Sequence, residues 1–214
     1  MAALMFRRAG TRWSFSTTST ALLPRFRHGA TRCLSHTTFM LPETTERLRF
    51  DWWEDADPAF AHLLWSDARV MQFIGGPQDT AQVAARLVNQ RKTRSECGVQ
   101  YWPIFLREGN DFVGCCGLKP RTDTPQLTHE LGFHLMQEYW GKRLATEAAT
   151  SVIAHAFGPL GADALFAGHR PTNKISRKAI LRLGFVFDYE ELYVPTGLMH
   201  PRYKLTAHIS SSSS

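Results

Sequence analysis

The stretch ELGFHLMQEYWGKRLATE, residues 130–147, decides how the rest of the chain is interpreted. Its first six residues are mostly apolar and predict a strand, and a helical pattern begins near Leu144 after a short loop. The start of a helix exposes unpaired backbone N–H groups and a partial positive charge, which together favour a phosphate or another anion. The stretch therefore predicts an anion site at a strand-to-helix turn, to which Lys142 and Arg143 add positive charge.

Ten residues of this turn, YWGKRLATEA at 139–148, resemble a loop of a known family. They resemble the acetyl-CoA loop of the GNAT superfamily of N-acetyltransferases. They are most similar to the branch with the ribosomal-protein alanine N-acetyltransferases. The resemblance covers roughly residues 43–206. It implies that an acetyl group passes directly from acetyl-CoA to a primary amine, on a protein N-terminus or on a small molecule, without a metal ion.

The resemblance also implies where acetyl-CoA binds. Backbone N–H groups of the loop 137–146 would hold the pyrophosphate, and the strand end 133–136 would pair with the pantetheine amides. The family has a small residue where Arg143 stands, so this side chain either obstructs the phosphate or adds a charge to it. The predicted cofactor-binding residues are Phe133, Leu135, Met136, Gly141, Lys142, Arg143, Leu144, Ala145, Thr146, Asn173 and Ser176.

A second motif lies downstream. Asn173-Lys-Ile-Ser176, followed by a Leu-Gly-Phe sequence at 183–185, resembles the second GNAT motif. The resemblance implies that the Asn173 amide contacts the pantetheine and that the Ser176 hydroxyl protonates the leaving thiolate. The residue types alone also suit a capping role at the start of a helix, and this alternative stays open.

The general base has two candidates on one predicted strand. Glu130 begins the strand, at a position where GNAT relatives often carry a glutamate. His134 lies four residues further and faces the same side of the sheet, and a histidine has an ordinary pKa that suits base work. His129 faces the other side. We predict Glu130 and Ser176 as the catalytic residues; an exposed carboxylate and a packed imidazole are the structural alternatives for Glu130 and His134.

Several aromatic and loop residues are assigned a role only from their positions in the sequence. Tyr139 and Trp140 are expected to pack the loop against the sheet. By analogy with the family, the acceptor side of the cleft is expected to contain Trp52, Trp53, the segment 73–76, His200 and Tyr203.

The order of the predicted elements favours an α+β fold. Strands occur mostly as hairpins in the first half and as strand–helix–strand units in the second half. This mixture predicts a mixed, mostly antiparallel central sheet of about six to seven strands flanked by helices, over residues 41–208. The GNAT resemblance implies the same fold.

Particular residues fix some details of that fold. Asp79 caps a predicted helix that continues through Arg94, with Val83, Leu87 and Val88 on its buried face. Pro103 predicts that the strand 101–106 is an edge strand or is bulged. The last strand is predicted over 202–206. Adjacent Cys115 and Cys116 are expected to face opposite sides of a strand as small core residues.

The charge of the chain is concentrated in its first 39 residues. The net charge is +6 and the isoelectric point is near 9.4. Residues 1–39 contain six arginines and no acid, whereas all 19 acidic residues lie further on, where 19 of the 25 basic residues balance them. This Arg/Ser/Thr-rich segment predicts a mitochondrial transit peptide, although translation from Met40 is an alternative. The serine run within 209–214 predicts a disordered tail.

These features restrict partners and locations. The equal numbers of acidic and basic residues after residue 39 argue against nucleic-acid binding by the domain. No apolar stretch reaches the roughly 18 residues of a membrane span. The sequence contains no Cys-x-x-Cys spacing of the kind that would indicate a metal site. We expect a monomer or homodimer that is mitochondrial if 1–39 is a transit peptide and cytoplasmic otherwise. A CoA-binding regulatory module without catalysis is the alternative function.

A fluorescent reporter fused to residues 1–39 tests the transit peptide. We expect the reporter to enter mitochondria, because an acid-free, arginine-rich, amphipathic segment is typical of their import signals. Diffuse cytosolic fluorescence would reject the prediction.

Overall fold

Seven strands form one mixed sheet in residues 40–207, the part of the chain that the computed structural model describes. The strands are β1 (Leu48–Phe50), β2 (Tyr101–Leu106), β3 (Phe112–Pro120), β4 (Thr128–Leu135), β5 (Ala164–Gly168), β6 (Val186–Tyr193) and β7 (Leu198–Thr206). Their order across the sheet is β1-β2-β3-β4-β5-β7-β6. Only β4 and β5 pair in parallel. The predicted fold class is confirmed.

Five helices flank the sheet in the described residues. They are α1 (Pro58–Trp65), α2 (Ala68–Met71), α3 (Thr80–Cys97), α4 (Leu144–Phe157) and α5 (Lys174–Arg182), with a 3-10 turn at Gln137–Tyr139 before α4. Aspartate side chains at 57, 67 and 79 accept backbone N–H groups at the starts of the first three helices. Each of these caps satisfies donors that a helix start leaves unpaired. The third helix continues three residues beyond the predicted Arg94 and ends at Cys97, with Gly98 as its left-handed C-cap.

The sheet separates two hydrophobic cores. Trp53 and Trp65 lie in the core beside α1–α3, whereas α4 and Ile180 of α5 pack in the core on the other face. Cys115 belongs to the first core and Cys116 to the second, as the alternation of a strand predicts. Burial raises the pKa of the Cys115 thiol to about 12, so this thiol is a poor nucleophile at neutral pH.

Three details of the sequence prediction need correction. Val88 is 64% exposed, because the buried stripe of α3 follows Val83 and Leu87 and turns away from Val88. The strand at Pro103 is not an edge strand, since β2 lies between β1 and β3; the bulge alternative is confirmed between Ile104 and Phe105. The last strand begins at Leu198, where it forms a hairpin with β6.

The parallel pairing of β4 with β5 is short. It joins Thr128–Glu130 to Ala164–Phe166 and goes no further. Beyond that point β4 stays with β3, while β5 stays with β7 up to Gly168. A gap therefore opens in the sheet between the carboxyl ends of the two strands.

Backbone groups on one edge of β4 face this gap. The Met136 N–H donates to the carbonyl of Val113 on β3. Because hydrogen-bonding direction alternates along an antiparallel strand, the N–H groups of Gly132 and His134 also point to β3. The N–H groups of Phe133 and Leu135 therefore point into the gap.

Residues 1–39 and 208–214 lie outside the described part, so the targeting segment and the serine tail remain predictions. Within 40–207, no helix has the length and apolar character needed to cross a bilayer. The same residues contain no cluster of three or more His, Cys, Asp or Glu side chains placed to hold a metal ion.

Acid is expected to destabilise the fold through His129. The residue is 3% exposed, its Nδ1 has no hydrogen-bond partner among the described residues, and burial lowers its pKa to about 4. In the unfolded chain His129 binds a proton near pH 6.5, whereas in the folded chain it binds one only near pH 4. Its contribution to the free energy of unfolding is therefore complete above pH 6.5 and is lost as the pH falls towards 4.

We expect His129 to lower the free energy of unfolding by up to ~3 kcal/mol over this pH range, because each unit of pKa difference between the folded and unfolded chain contributes about 1.36 kcal/mol. His129→Leu, which cannot bind the proton, should retain more of its unfolding free energy between pH 6.5 and 4, as measured by urea denaturation at each pH. An identical pH dependence for the variant and the parent would contradict this assignment.

Candidate active site

A cavity of about 270 Å³ opens beside the start of α4, and we call it the α4 cavity. The open edge of β4, the turn before α4 and the exposed side of α5 form its walls. The structure brings these predicted cofactor residues together on its lining: Phe133, Leu135, Gly141, Arg143, Leu144, Ala145, Thr146, Asn173 and Ser176.

The turn before α4 leaves the helix start open. Gly141 and Arg143 both adopt the left-handed region, with φ of 76° and 63°. No side chain of the described residues caps α4, so within that part of the chain the N–H groups at the start of the helix have neither an intrahelical acceptor nor a cap. A left-handed φ costs a residue with a side chain about 1–2 kcal/mol. This strain explains why a small residue suits the position of Arg143.

Trp140 holds the turn against the sheet, as predicted. Its indole Nε1–H donates to the Leu135 carbonyl at 2.8 Å, and both Tyr139 and Trp140 pack on the core. Lys142 is not among the residues that line the α4 cavity. Its Nζ lies 5.3 Å from the centre of the Tyr139 ring, which does line the cavity, so the Lys142 charge lies near the cavity wall.

Met136 is also absent from the lining of the α4 cavity. Its N–H is already bonded to Val113, and its side chain packs against the core beside α1–α3. The predicted pairing of 133–136 with an incoming chain is therefore restricted to the N–H groups of Phe133 and Leu135 and to the Phe133 carbonyl, since Trp140 occupies the Leu135 carbonyl.

The second motif begins α5. The Asn173 side-chain oxygen accepts the Ser176 N–H at 3.0 Å, so Asn173 has the capping role that its residue type suggested. This bond uses the oxygen and leaves the Nδ2 donor for another partner. Asn173 and Ser176 both face the α4 cavity.

A larger cavity of about 530 Å³, the α3 cavity, lies on the opposite side of β4. The third helix, the loop 73–78 and the β6–β7 hairpin contribute to its walls. Phe133, His134, Asn173 and Ser176 line both cavities. The two spaces therefore meet in the gap between β4 and β5.

The predicted acceptor-side residues separate into two groups. Segment 73–76 and His200 line the α3 cavity. Trp52, Trp53 and Tyr203 do not, and their side chains pack in the hydrophobic cores. The Tyr203 hydroxyl lies 3.2 Å from Nε2 of His169, which does line the α3 cavity.

Glu130 faces the α3 cavity and is ion-paired. Its Oε1 accepts from Arg202 Nη1 at 2.7 Å, and Arg202 Nε donates to Glu191 Oε2 at 2.7 Å. The Glu130 side chain is 26% exposed, and that of Glu191 is 45% exposed. Any proton transfer by Glu130 must therefore occur beside the Arg202 guanidinium.

His134 is held as a neutral ring by a buried cluster. The Trp65 indole N–H donates to His134 Nδ1 at 3.3 Å, and Arg86 Nη2 lies 3.5 Å from the same nitrogen. An indole N–H can only donate, so Nδ1 is the acceptor and the proton resides on Nε2. Burial and the Arg86 charge hold the pKa of His134 well below its usual range. His134 is therefore a hydrogen-bond donor and not a general base.

Tyr101 is a cavity residue that the sequence prediction missed. A Cβ on Gly132 would overlap the Tyr101 hydroxyl, so the missing side chain makes room for the phenol on this face of β4. Burial, with the Glu130 charge, raises the pKa of Tyr101 well above its usual value and keeps the phenol protonated. The sequence signal was Gly117 and Gly132, which are paired neighbours in adjacent strands beside Tyr101.

Comparisons with known proteins agree with this geometry. The family model of the acetyltransferase (GNAT) domain matches residues 47–186. The chain belongs to the GNAT acetyltransferase family. This membership makes the protein an N-acetyltransferase by class and confirms the family resemblance seen in the sequence.

Individual relatives are distant. An uncharacterized N-acetyltransferase, p20, of Bacillus licheniformis is 27% identical over 156 residues, which is 69% of this chain and 86% of p20. The crystal structure of an acetyltransferase from Agrobacterium tumefaciens is similar with a TM-score of 0.67 at 23% identity, over 81% of this chain and 99% of that one. A RimL ribosomal L7/L12 α-N-protein acetyltransferase in complex with coenzyme A gives a TM-score of 0.63 at 13% identity, over 77% and 97%. At these identities the structural likeness supports the fold.

Proposed function

We propose that this GNAT protein transfers an acetyl group from acetyl-CoA to a primary amine, which enters from the α3 cavity. The observation that carries the proposal is the meeting of the two cavities in the gap between β4 and β5. A donor in one cavity and an amine in the other would come into contact beside His134 and Ser176, which line both. Holding two reactants at one point in this way can supply a large part of a rate enhancement.

Acetyl-CoA fits the α4 cavity for two separate reasons. The N–H groups of Phe133 and Leu135 offer strand-like pairing to the pantetheine amides. The uncapped start of α4 offers N–H groups and positive potential to the pyrophosphate. Arg143, Lys178 and Arg182 line the same cavity and add positive charge, two of them from α5.

The reaction requires a proton to leave the amine and a proton to reach the departing thiolate. As the amine nitrogen bonds to the acetyl carbon, negative charge develops on the carbonyl oxygen, and the carbon–sulfur bond then breaks. His134 Nε2–H is a neutral donor at the junction, suited to the developing oxyanion. Ser176 is our candidate for protonating the thiolate.

Glu130 is our candidate for receiving the proton of the amine, directly or through a water molecule. It is the only carboxylate that lines the α3 cavity in the described residues. The demand on this base is modest, because the neighbouring cations disfavour a charged ammonium and so lower the pKa of a bound amine. The ion pair with Arg202 positions the carboxylate.

Glu130→Gln tests this assignment against a matched control. We expect kcat to fall about tenfold or more, with a changed acidic limb of the pH profile, because the carboxylate that accepts the proton is lost. Glu191→Gln removes the other carboxylate bonded to Arg202 and should leave kcat within about twofold. Rates are measured from the free thiol of CoA.

An equal effect of the two substitutions would assign Glu130 to the support of Arg202 and remove it from the base role. An unchanged pH profile in Glu130→Gln would do the same.

The alternative is a CoA-binding module without catalysis. Two observations favour it: the strained Arg143 in the turn and the ion-paired state of the candidate base. Acetyl-CoA binding without thiol release from any amine tested, including peptides, would support this alternative and reject ours.

The acceptor and the location are further parts of the proposal. The names of several structural neighbours, among them a ribosomal-protein-S5-alanine acetyltransferase of Vibrio fischeri, favour a protein N-terminus as the acceptor. A small-molecule amine remains the other candidate. We propose a mitochondrial location on the composition of residues 1–39 alone, with the reporter fusion above as its test.

A further inference from the structure

The α3 cavity has a surplus of positive charge. Its lining includes four cationic side chains, Arg86, Lys119, Arg170 and Arg202, but only one carboxylate, Glu130. Arg202 is balanced by Glu130 and by Glu191 outside the cavity. The other three cations have no carboxylate within 4.0 Å among residues 40–207.

Arg86 is fixed in place, although no carboxylate in the described part of the chain pairs with it. Its guanidinium carbon lies 4.3 Å from the centre of the Trp65 ring, and its Nη2 lies beside His134. The face of an aromatic ring orients a guanidinium but does not neutralise it. The charge is therefore held at the cavity wall, next to the junction of the two cavities.

Arg170 has an unsatisfied donor. Its Nη1 donates to the Gln72 carbonyl at 2.8 Å, which ties the side chain to the loop after α2. Its Nε is buried and has no hydrogen-bond partner within residues 40–207. A buried donor without an acceptor is unfavourable, so an acceptor in the cavity that bonds the Arg170 guanidinium would be favoured.

The pKa values of two histidines in the cavity, His134 and His200, are affected by this charge. The Arg86 charge contributes to the lowered pKa of His134, and Arg202 and Arg170 contribute to that of His200, each after burial itself. A site of this sign repels polyamines and other polycationic acceptors. It attracts an acceptor with an anionic group and favours the neutral form of its amine.

We propose that the acceptor carries a carboxylate close to its reactive amine, and that Arg86 and Arg170 bind this carboxylate. The inference rests on the proposed function, whose amine substrate it specifies. Planar guanidinium groups match the geometry of a carboxylate and form charge-assisted hydrogen bonds with it. Two sources present this chemistry: the carboxylate of a free amino acid, or an acidic side chain just after the N-terminal residue of a peptide.

The experiment compares matched acceptors on the full chain. One pair is alanine and alaninamide; the other is a C-terminally amidated tetrapeptide with Asp or Asn at its second position. We expect kcat/KM to favour the carboxylate of at least one pair about tenfold or more, mostly through KM. The pair that shows the preference identifies the source of the carboxylate.

Arginine variants connect this preference to the site. Arg86→Gln and Arg170→Gln should each reduce the preference about fivefold, and Arg170→Lys should retain part of it. Lys119→Gln removes an exposed cation of the same cavity and should leave the preference within about twofold. Equal kcat/KM values for both members of both pairs would overturn the inference and leave the proposed function standing.

Binding without turnover separates the two claims. The N-acetylated products of all four acceptors can be titrated into the protein in a calorimeter. Tighter binding of the carboxylate product, lost in Arg86→Gln, would support the inference even if no acceptor were acetylated, and the proposed function alone would then fail. Equal binding of acid and amide products would reject the carboxylate site whatever the turnover.

Discussion

The early end of the pairing between β4 and β5 is the constraint on which the rest of the site depends. Both strands remain in the sheet because β3 and β7 hold their outer edges, so the gap opens without loss of the fold. The open edge of β4 presents backbone groups that can form hydrogen bonds with a ligand. Of these groups, the Leu135 carbonyl already accepts the Trp140 indole N–H. The N–H groups of Phe133 and Leu135 remain for a ligand with amides of its own.

Electrostatics divides the resulting cleft into two ends and a centre. The uncapped start of α4 and Arg143 make one end positive, and Arg86 and Arg170 make the other end positive. Between them His134 is kept neutral by burial and by the nearby Arg86 charge. The pyrophosphate of CoA and the proposed carboxylate of the acceptor can thus be held at opposite ends of the cleft, while the reacting atoms meet between them. This central region has no strong base, which suits an amine that attacks in its neutral form.

Much of the frame could be predicted from local patterns, because a strand, a turn and a helix start are set by neighbouring residues. The string 139–148 identified the turn, and the strand period placed Glu130 and His134 on one face. Long-range contacts were not predictable in this way. Trp65 and Arg86 meet His134 from other elements, and Arg202 reaches Glu130 across 72 residues of chain. No periodicity in the sequence records such pairings, so the neutral state of His134 and the ion pair of Glu130 became visible only in the fold.

Amide hydrogen exchange with and without acetyl-CoA tests the central claim most directly. The account predicts that acetyl-CoA strongly slows exchange at Phe133 and Leu135, whose N–H groups face the gap. The alternate amides of Gly132 and His134 should already be protected through β3 and should change little, which provides an internal control within the same strand. Protection of all four amides alike, or of none, would contradict the claim that acetyl-CoA occupies the gap between β4 and β5.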